Sequence, residues 1–162
     1  MLPLKIFVNN LTVALIIYAL SVTIAGSWIF FAFQGFFTGA ISSAPLLDEE
    51  LLREIRTYLQ CTLDQQGLAL VKASLLIPHG IFEISGIALS LVASYHISRI
   101  VIDLIRAKIL RTPVTINVRG RVIASLKLLL VAVILLLVAA FIEIFVTPVI
   151  GGVVMALLCF LR

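Results

Sequence analysis

The sequence predicts an all-α fold, a polytopic membrane helix bundle that forms a single integral membrane domain over residues 1–162. Apolar residues make up 62% of the chain and charged residues only 12%, against about 45–50% and about 25% in soluble globular proteins. Long uncharged stretches also alternate with short polar ones. So few charges cannot cover a water-exposed surface, which excludes a secreted disulfide scaffold, a cytosolic enzyme and a free nucleic-acid-binding protein. We expect about four membrane segments, with re-entrant segments among the alternatives.

The N-terminal part of the chain is long enough for two of these segments. Residues 6–47 contain no charged side chain, and one span needs about 20 apolar residues. We expect helices over 9–25 and 28–44, while a re-entrant hairpin or one long tilted span also fits. Asn9 and Asn10 are predicted to lie at the interface and to cap the first helix. No polar mature chain follows, so the stretch is interpreted as a retained membrane segment and not as a cleaved signal peptide.

Three residues of the second segment are candidates for contacts between helices. Gln34 lies in the middle of an apolar segment, where an amide side chain is expected to hydrogen-bond to another helix. Gly35 and Gly39 form a GxxxG pattern, which permits close helix packing but is common by chance.

Residues 48–66 contain five of the eight acidic residues. Their apolar residues recur at helical spacing, which predicts an amphipathic helix on the membrane surface. This helix is either a solvated connector or a docking surface for a partner. Cys61 and Cys159 lie too far apart for a metal motif or a disulfide framework, and we expect two unpaired thiols.

The stretch 99–121 follows the apolar segment 67–98 and is strongly basic. It contains six of the twelve basic residues, namely Arg99, Arg106, Lys108, Arg111, Arg119 and Arg121. Basic loops remain cytoplasmic, so we expect this loop inside, next to anionic lipid. Its first part continues the helix, because Asp103 can pair with Arg99 or Arg106. Proline at 113 ends that helix, and a brief extended piece follows.

The last clear span covers residues 122–147. Thr147-Pro148 is expected to break the helix there, because proline lacks a backbone donor. The apolar tail 149–161 is short, and it is expected to be re-entrant or packed against the bundle.

Two lone carboxylates, Glu83 and Glu143, stand inside apolar segments. An acidic residue near the bilayer centre costs roughly 2.5–3.5 kcal/mol on insertion scales, so such residues are usually functional or paired. His79 precedes Glu83 by four residues and shares its helix face. Pro78 and Gly80 predict a kink or a discontinuous helix at that depth.

The same helix face continues with small and weakly polar residues. Gly86, Ser90 and Ser94 lie within about 60° of His79 at 100° per residue. Such a stripe lets another helix approach closely, and we expect that helix to be the one with Glu143. The sequence therefore predicts that His79, Glu83 and Glu143, here called the His/Glu cluster, converge near one end of the bundle.

Three interpretations of the His/Glu cluster are open. In the first, here called the structural lock, the three side chains stabilise the fold through hydrogen bonds, with at least one carboxyl protonated. In the second, they relay protons or cations. In the third, they bind a metal ion that activates water. One histidine and two carboxylates can suit zinc, but the HExxH pattern and its second imidazole are missing. No nucleophile triad, phosphate loop or dinucleotide fingerprint is present. We therefore expect no enzymatic activity, no metal and no cofactor.

Two motifs together resemble those of a known family. PHGIFEI at 78–84 and AAFIEIFVTP at 139–148 resemble the glutamate motifs of the stage II sporulation protein M family. The pairs Asn9-Asn10 and Gln34-Gly35 are similar to its earlier landmarks. The family often has proline and alanine after the first motif, and asparagine in place of Gln34.

The family resemblance implies an architecture and a role. Many members have a further transmembrane helix upstream, so we expect that this chain is a short version or that a partner subunit supplies that helix. The resemblance implies a polytopic membrane protein without known catalysis of its own. In spore formers, the member that names the family works with peptidoglycan-degrading proteins during engulfment. Similar proteins occur in organisms that never sporulate, so the sporulation role is not carried over.

These observations lead to two expected functions. The first is a non-enzymatic membrane scaffold that organises or recruits partners. We expect it to contact membrane lipid and to form a homo-oligomer or to bind other membrane subunits. We do not expect it to bind nucleic acid. The alternative is a transporter or transporter subunit in which the His/Glu cluster couples protons or ions. A scaffold predicts a dry cluster that is closed by direct hydrogen bonds. A transporter predicts a cavity that reaches the cluster from one side.

Overall fold

The structure is a computed structural model that describes residues 2–23, 25–43, 63–111 and 117–160. Its elements are α1 (Leu2–Ala19), a 3₁₀ helix (Leu20–Thr23), α2 (Gly26–Ser43), α3 (Gln65–Leu110), α4 (Val118–Phe145) and α5 (Thr147–Phe160). The described part of the chain contains no strand, so the prediction of an all-α bundle is confirmed. The amphipathic helix predicted over 48–66 lies almost wholly outside the described residues.

In the part of the chain that the structure describes, three helices are long and apolar enough to cross a membrane. The candidate spans are Leu4–Thr23, Gln65–Ile109 and Val118–Phe145, and Thr147–Phe160 is a shorter apolar helix. The bundle surface carries many exposed aliphatic and aromatic side chains, among them Ile29, Ile84, Leu130 and Phe141. Such a surface suits lipid as the surrounding solvent.

Helix α3 is continuous through Pro78 and Gly80, which corrects the discontinuous helix predicted there, while the alternative of a kink stays a prediction. Its 46 residues include Pro78 in the interior, and at 1.5 Å per residue it is about 69 Å long. Proline removes only one backbone donor. The remaining helical hydrogen bonds persist because apolar surroundings offer a broken backbone group no water as a replacement partner.

Polar residues lie at both ends of α3 and at the start of α4. Asp64 caps the N-terminus of α3, since its carboxylate accepts a 2.8 Å hydrogen bond from the Gly67 backbone N–H. At the other end, Arg111 adopts a left-handed conformation with φ of 48°. Asn117 caps α4 by accepting from the Gly120 backbone N–H at 2.9 Å. The predicted extended piece lies mostly in 112–116, outside the described residues.

Helices α4 and α5 together run antiparallel to α3 and form one long hairpin with it. Near the hairpin loop, Arg121 of α4 contacts Asp103 of α3 at 2.7 Å. This interhelical pair corrects the expected pairing of Asp103 with Arg99 or Arg106 within α3. Farther along, the turn at Val146 separates α4 from α5.

The break predicted at Pro148 is present in the structure. Helix α4 ends at Phe145 and α5 begins at Thr147. Pro148 therefore occupies the first turn of α5, where backbone donors have no intrahelical partner and proline is tolerated.

Helix α1 packs parallel to α3, and serine hydroxyls fix its register. Ser90 donates to the Ala14 carbonyl oxygen at 2.5 Å, and Ser98 donates to the Ser21 carbonyl oxygen at 2.6 Å. Between these bonds lies a core that α4 completes. Its buried members are Ala14, Ile17, Ile87, Leu91 and Leu136.

Two expectations for α1 and α2 are wrong. Helix α1 begins at Leu2, so Asn9 and Asn10 lie inside it and do not cap it, because the apolar residues before them extend the helix. Gly35 and Gly39 do not provide the expected close packing. Both are exposed, and among the described residues no heavy atom lies within 4 Å of the position that a Cβ would take.

Candidate functional site

A cavity of about 340 Å³ brings together polar residues from three helices. Here it is called the polar cavity, and it opens to the surface of the bundle. Its lining residues are Lys5, Ile6, Asn9 and Asn10 of α1, Glu83 of α3 and Glu143 of α4. The antiparallel hairpin places the two glutamates at the same level, and the parallel packing of α1 places its first turns beside them.

The three residues of the His/Glu cluster lie close together. Glu83 and Glu143 are half-buried and line the polar cavity. His79 and Glu143 both act electrostatically on Glu83. The Nδ1 atom of His79 also lies 3.4 Å from the hydroxyl oxygen of Thr147, which is buried. The tautomer of His79 decides which of these two atoms donates the proton.

No direct hydrogen bond closes this cluster. Within the described residues, neither glutamate side chain forms a hydrogen bond or an ion pair with another side chain. The carboxylates face the polar cavity instead, which differs from the dry arrangement that a structural lock predicts. The described part of the chain also contains no group of three or more His, Cys, Asp or Glu residues placed to bind a metal ion, and we derive no metal chemistry here.

Helix α1 contributes groups that sequence reasoning did not assign to this site. Lys5 and Asn9 are exposed and share one helix face, whereas Asn10 is only 7% exposed. The Asn10 side-chain oxygen accepts a 3.4 Å hydrogen bond from the Asn9 amide nitrogen. The spacing of Lys5 and Asn9 was the available signal, but nothing in the sequence places α1 against the glutamates.

The predicted stripe of small residues contacts two helices, α1 and α4, and not one. Gly86 faces α4, since a Cβ there would lie 2.9 Å from Leu136 and 3.1 Å from the Ala132 carbonyl oxygen. Ser90 faces α1, and buried Ser94 donates to the Leu91 carbonyl oxygen of its own helix at 2.8 Å. The predicted packing against the helix of Glu143 is therefore present at Gly86, whereas the Ser90 hydroxyl bonds to α1 instead.

A second cavity, of about 320 Å³, lies between α2 and α3 and is mainly apolar. Gln34 lines it together with Gly35 and Gly39. Gln34 is half-buried, and within the described residues its side chain forms no hydrogen bond to another helix. The expected interhelical bond is absent because apolar side chains of α3, Ile84 and Ile87, face it across this cavity.

Cys159, near the end of α5, is disulfide-bonded. This corrects the expectation of two unpaired thiols, which rested on sequence separation. The long hairpin brings the C-terminal end of α5 back to the start of α3, where Leu158 lies beside Asp64 and Gly67. Cys61 itself lies outside the described residues.

The comparison with known proteins agrees with the two glutamate motifs. The model of the family described as Stage II sporulation protein M matches residues 1–148. The chain belongs to this family. An uncharacterized protein of Methanocaldococcus jannaschii is 33% identical over 146 residues, which cover 89% of this chain and 70% of that protein. No solved structure matches the chain. All residues of the polar cavity lie within the part that the stage II sporulation protein M family model matches.

Proposed function

We propose that this member of the stage II sporulation protein M family is a non-enzymatic scaffold in the cell membrane, which binds other membrane proteins or further copies of itself. The observation that supports the proposal is the length of the hairpin. Helix α3 has 46 residues and is about 69 Å long, whereas the hydrocarbon core of a bilayer is about 30 Å thick.

Helix α1 indicates which part of the hairpin lies beyond the bilayer. Its candidate span, Leu4–Thr23, has 20 residues and matches the hydrocarbon core by itself. Ser98 contacts Ser21 near one end of this span, and Glu83 lies beside Asn10 near the other. Parallel packing at this register leaves residues 65–76 of α3 beyond the start of α1, together with most of α5. This part is here called the outer hairpin.

The outer hairpin exposes apolar side chains, which by this register we infer to lie outside the lipid bilayer. Leu70, Val153 and Leu157 are each more than half exposed, and Phe160 is 89% exposed. Burying apolar surface contributes about 25 cal/mol per Å², and contiguous exposed apolar surface typically marks an interaction site. We infer that the outer hairpin binds partner proteins.

The two ends of the hairpin differ in chemistry, which supports an orientation. Arg106, Lys108, Arg111 and Arg119 lie near the hairpin loop, and basic residues are retained in the cytoplasm. Cys159 at the opposite end is disulfide-bonded, and disulfides persist in oxidising compartments. We therefore propose that the hairpin loop is cytoplasmic and that the outer hairpin is not.

Site-specific photo-crosslinking tests the scaffold proposal. A benzoylphenylalanine is introduced at Leu157 in the outer hairpin or, as the matched control, at Leu130 in the middle of α4. The two leucines are similarly exposed, at 54% and 61%. We expect discrete protein adducts in native membranes from position 157 and lipid adducts from position 130. Lipid adducts alone from both positions would contradict a scaffold that acts through the outer hairpin.

The polar cavity supports a second candidate, a transporter or transporter subunit that couples protons or ions. Its glutamates face an open cavity and not a closed hydrogen-bonded core. Proton flux into proteoliposomes, followed with a pH-sensitive dye, tests this function. We expect Glu83→Gln and Glu143→Gln to abolish flux and Lys127→Gln, at an exposed position outside the cavity, to preserve it. Wild-type flux equal to that of empty liposomes would exclude proton coupling.

A further inference from the structure

We propose that the polar cavity binds a zwitterion that has a primary ammonium group and a phosphate group, the chemistry of a phosphoethanolamine head group. The ammonium group lies between Glu83 and Glu143, and the phosphate group lies next to Lys5. This inference is independent of the scaffold proposal, because it depends on the polar cavity and not on the outer hairpin.

The charges of the polar cavity are complementary to such a ligand. Two glutamates and one lysine line the same cavity, so the site has both acidic and basic groups. A primary ammonium group has three N–H donors and no acceptor. Two carboxylates and an amide oxygen satisfy these three donors, and charge-assisted hydrogen bonds of this kind are among the stronger ones in proteins.

The two asparagines provide the neutral part of the site. Asn10 is more than nine-tenths buried and lines the polar cavity. Its side-chain oxygen accepts from Asn9, but its amide nitrogen has no hydrogen-bond partner within the described residues. An amide donor that lines the cavity and has no protein partner within the described residues is available to a ligand acceptor, and a phosphate oxygen beside Lys5 is such an acceptor.

The position and size of the polar cavity suit a head group. Lys5 is next to the first residue of the candidate span Leu4–Thr23, and Glu143 is close to the last residue of Val118–Phe145. Both therefore lie near the boundary of the hydrocarbon core, where head groups begin. The volume of about 340 Å³ falls within the range of small-molecule sites, about 300–1,000 Å³.

Lipid co-purification tests the proposal on the full chain. Nanodiscs contain phosphatidylethanolamine and phosphatidylcholine with identical acyl chains in equal amounts, and native mass spectrometry identifies the lipids retained by the protein. The choline head group has no N–H donor, so the ratio reports the ammonium contacts. We expect about tenfold enrichment of phosphatidylethanolamine, as the loss of one charged hydrogen bond predicts. The Glu83→Gln and Glu143→Gln variants are expected to lose the enrichment, and Lys127→Gln is expected to retain it.

Two further measurements keep the proposal testable. Lys5→Gln removes the phosphate contact without altering the carboxylates, and it is expected to lower phosphatidylethanolamine retention even if a glutamate variant does not fold. Titration with free phosphoethanolamine in phosphatidylcholine nanodiscs distinguishes the sources. Binding of the free zwitterion without lipid enrichment assigns the site to a soluble ligand, and enrichment assigns it to a lipid. Equal retention of both lipids together with no binding of free phosphoethanolamine would overturn the proposal, as would a preference for phosphatidylglycerol in a parallel mixture.

Discussion

Asp103 of α3 and Arg121 of α4 form an ion pair with a 2.7 Å contact between Oδ2 and Nη1, at the loop end of the hairpin. Asp103 is only 6% exposed, and within the described residues its ionic partner is Arg121. Breaking a buried pair by removing one member leaves an uncompensated buried charge. The pair therefore favours the antiparallel register of α3 and α4 over other registers.

Charge reversal tests this pair. Arg121→Met is expected to lower the free energy of unfolding by about 1–3 kcal/mol, less than for a fully buried pair because Arg121 is 29% exposed. The swapped double variant Asp103→Arg with Arg121→Asp is expected to recover part of that loss. Unfolding in a detergent titration measures both variants. The single variants Asp103→Arg and Arg121→Asp are measured as well. A double variant that is less stable than either of them would show that the two charges are not coupled.

The sequence was sufficient to predict the helices, but it was not sufficient to predict which residues of different helices contact each other. Hydropathy predicted the three candidate spans, whereas the segment expected over 28–44 forms α2, which is not among them. The partner of Asp103 was missed because three positions in the sequence, Arg99, Arg106 and Arg121, offer the same charge. Pro78 was expected to kink or interrupt α3, yet the helix is continuous through it, because an apolar environment offers freed backbone groups no water.

Gly86 is expected to be a packing position at which a methyl group is costly. A Cβ there would lie 2.9 Å from Leu136, which is fully buried, and 3.1 Å from a backbone oxygen. We expect Gly86→Ala to destabilise the protein by about 1–2 kcal/mol, because overpacking outweighs the gain in helix propensity. Gly152→Ala is the matched control, since no atom of residues 2–23, 25–43, 63–111 or 117–160 lies within 4 Å of its Cβ position. It is expected to be neutral or stabilising in thermal unfolding, and equal losses in both variants would contradict the packing role of Gly86.

Ser125 connects three helices and should show coupling with Tyr18. Its hydroxyl donates to the Ala93 carbonyl oxygen at 2.7 Å and is 3.1 Å from the Tyr18 hydroxyl oxygen. Interhelical hydrogen bonds in membrane proteins contribute about 0.6 kcal/mol on average and up to about 1.7 kcal/mol. Ser125→Ala is expected to cost about 1 kcal/mol and Tyr18→Phe less. The double variant should cost less than the sum of the two, whereas strict additivity would show that the hydroxyls do not interact.

Proximity between residues of the candidate site could be predicted only for His79 and Glu83, which belong to the same helix. His79 and Glu83 share a face of α3 by helical periodicity, and the rarity of charges identified Glu143. Lys5, Asn9 and Asn10 reach the same cavity because of the register of α1 against α3. That register depends on a side-chain hydrogen bond from Ser90 to a backbone carbonyl oxygen, and every residue of α1 offers such a carbonyl.

The orientation of the hairpin can be determined by thiol labelling. Arg111→Cys and Phe160→Cys are placed separately in a background with Cys61→Ser and Cys159→Ser, and both positions are exposed. Because basic residues surround Arg111 and a disulfide forms beside Phe160, an impermeant maleimide should label position 160 in intact cells. Position 111 should be labelled only in inverted vesicles. The melting temperature of the background is compared with that of the wild type, which confirms that the hairpin still forms. Labelling of position 111 in intact cells would reverse the proposed orientation and place the outer hairpin in the cytoplasm.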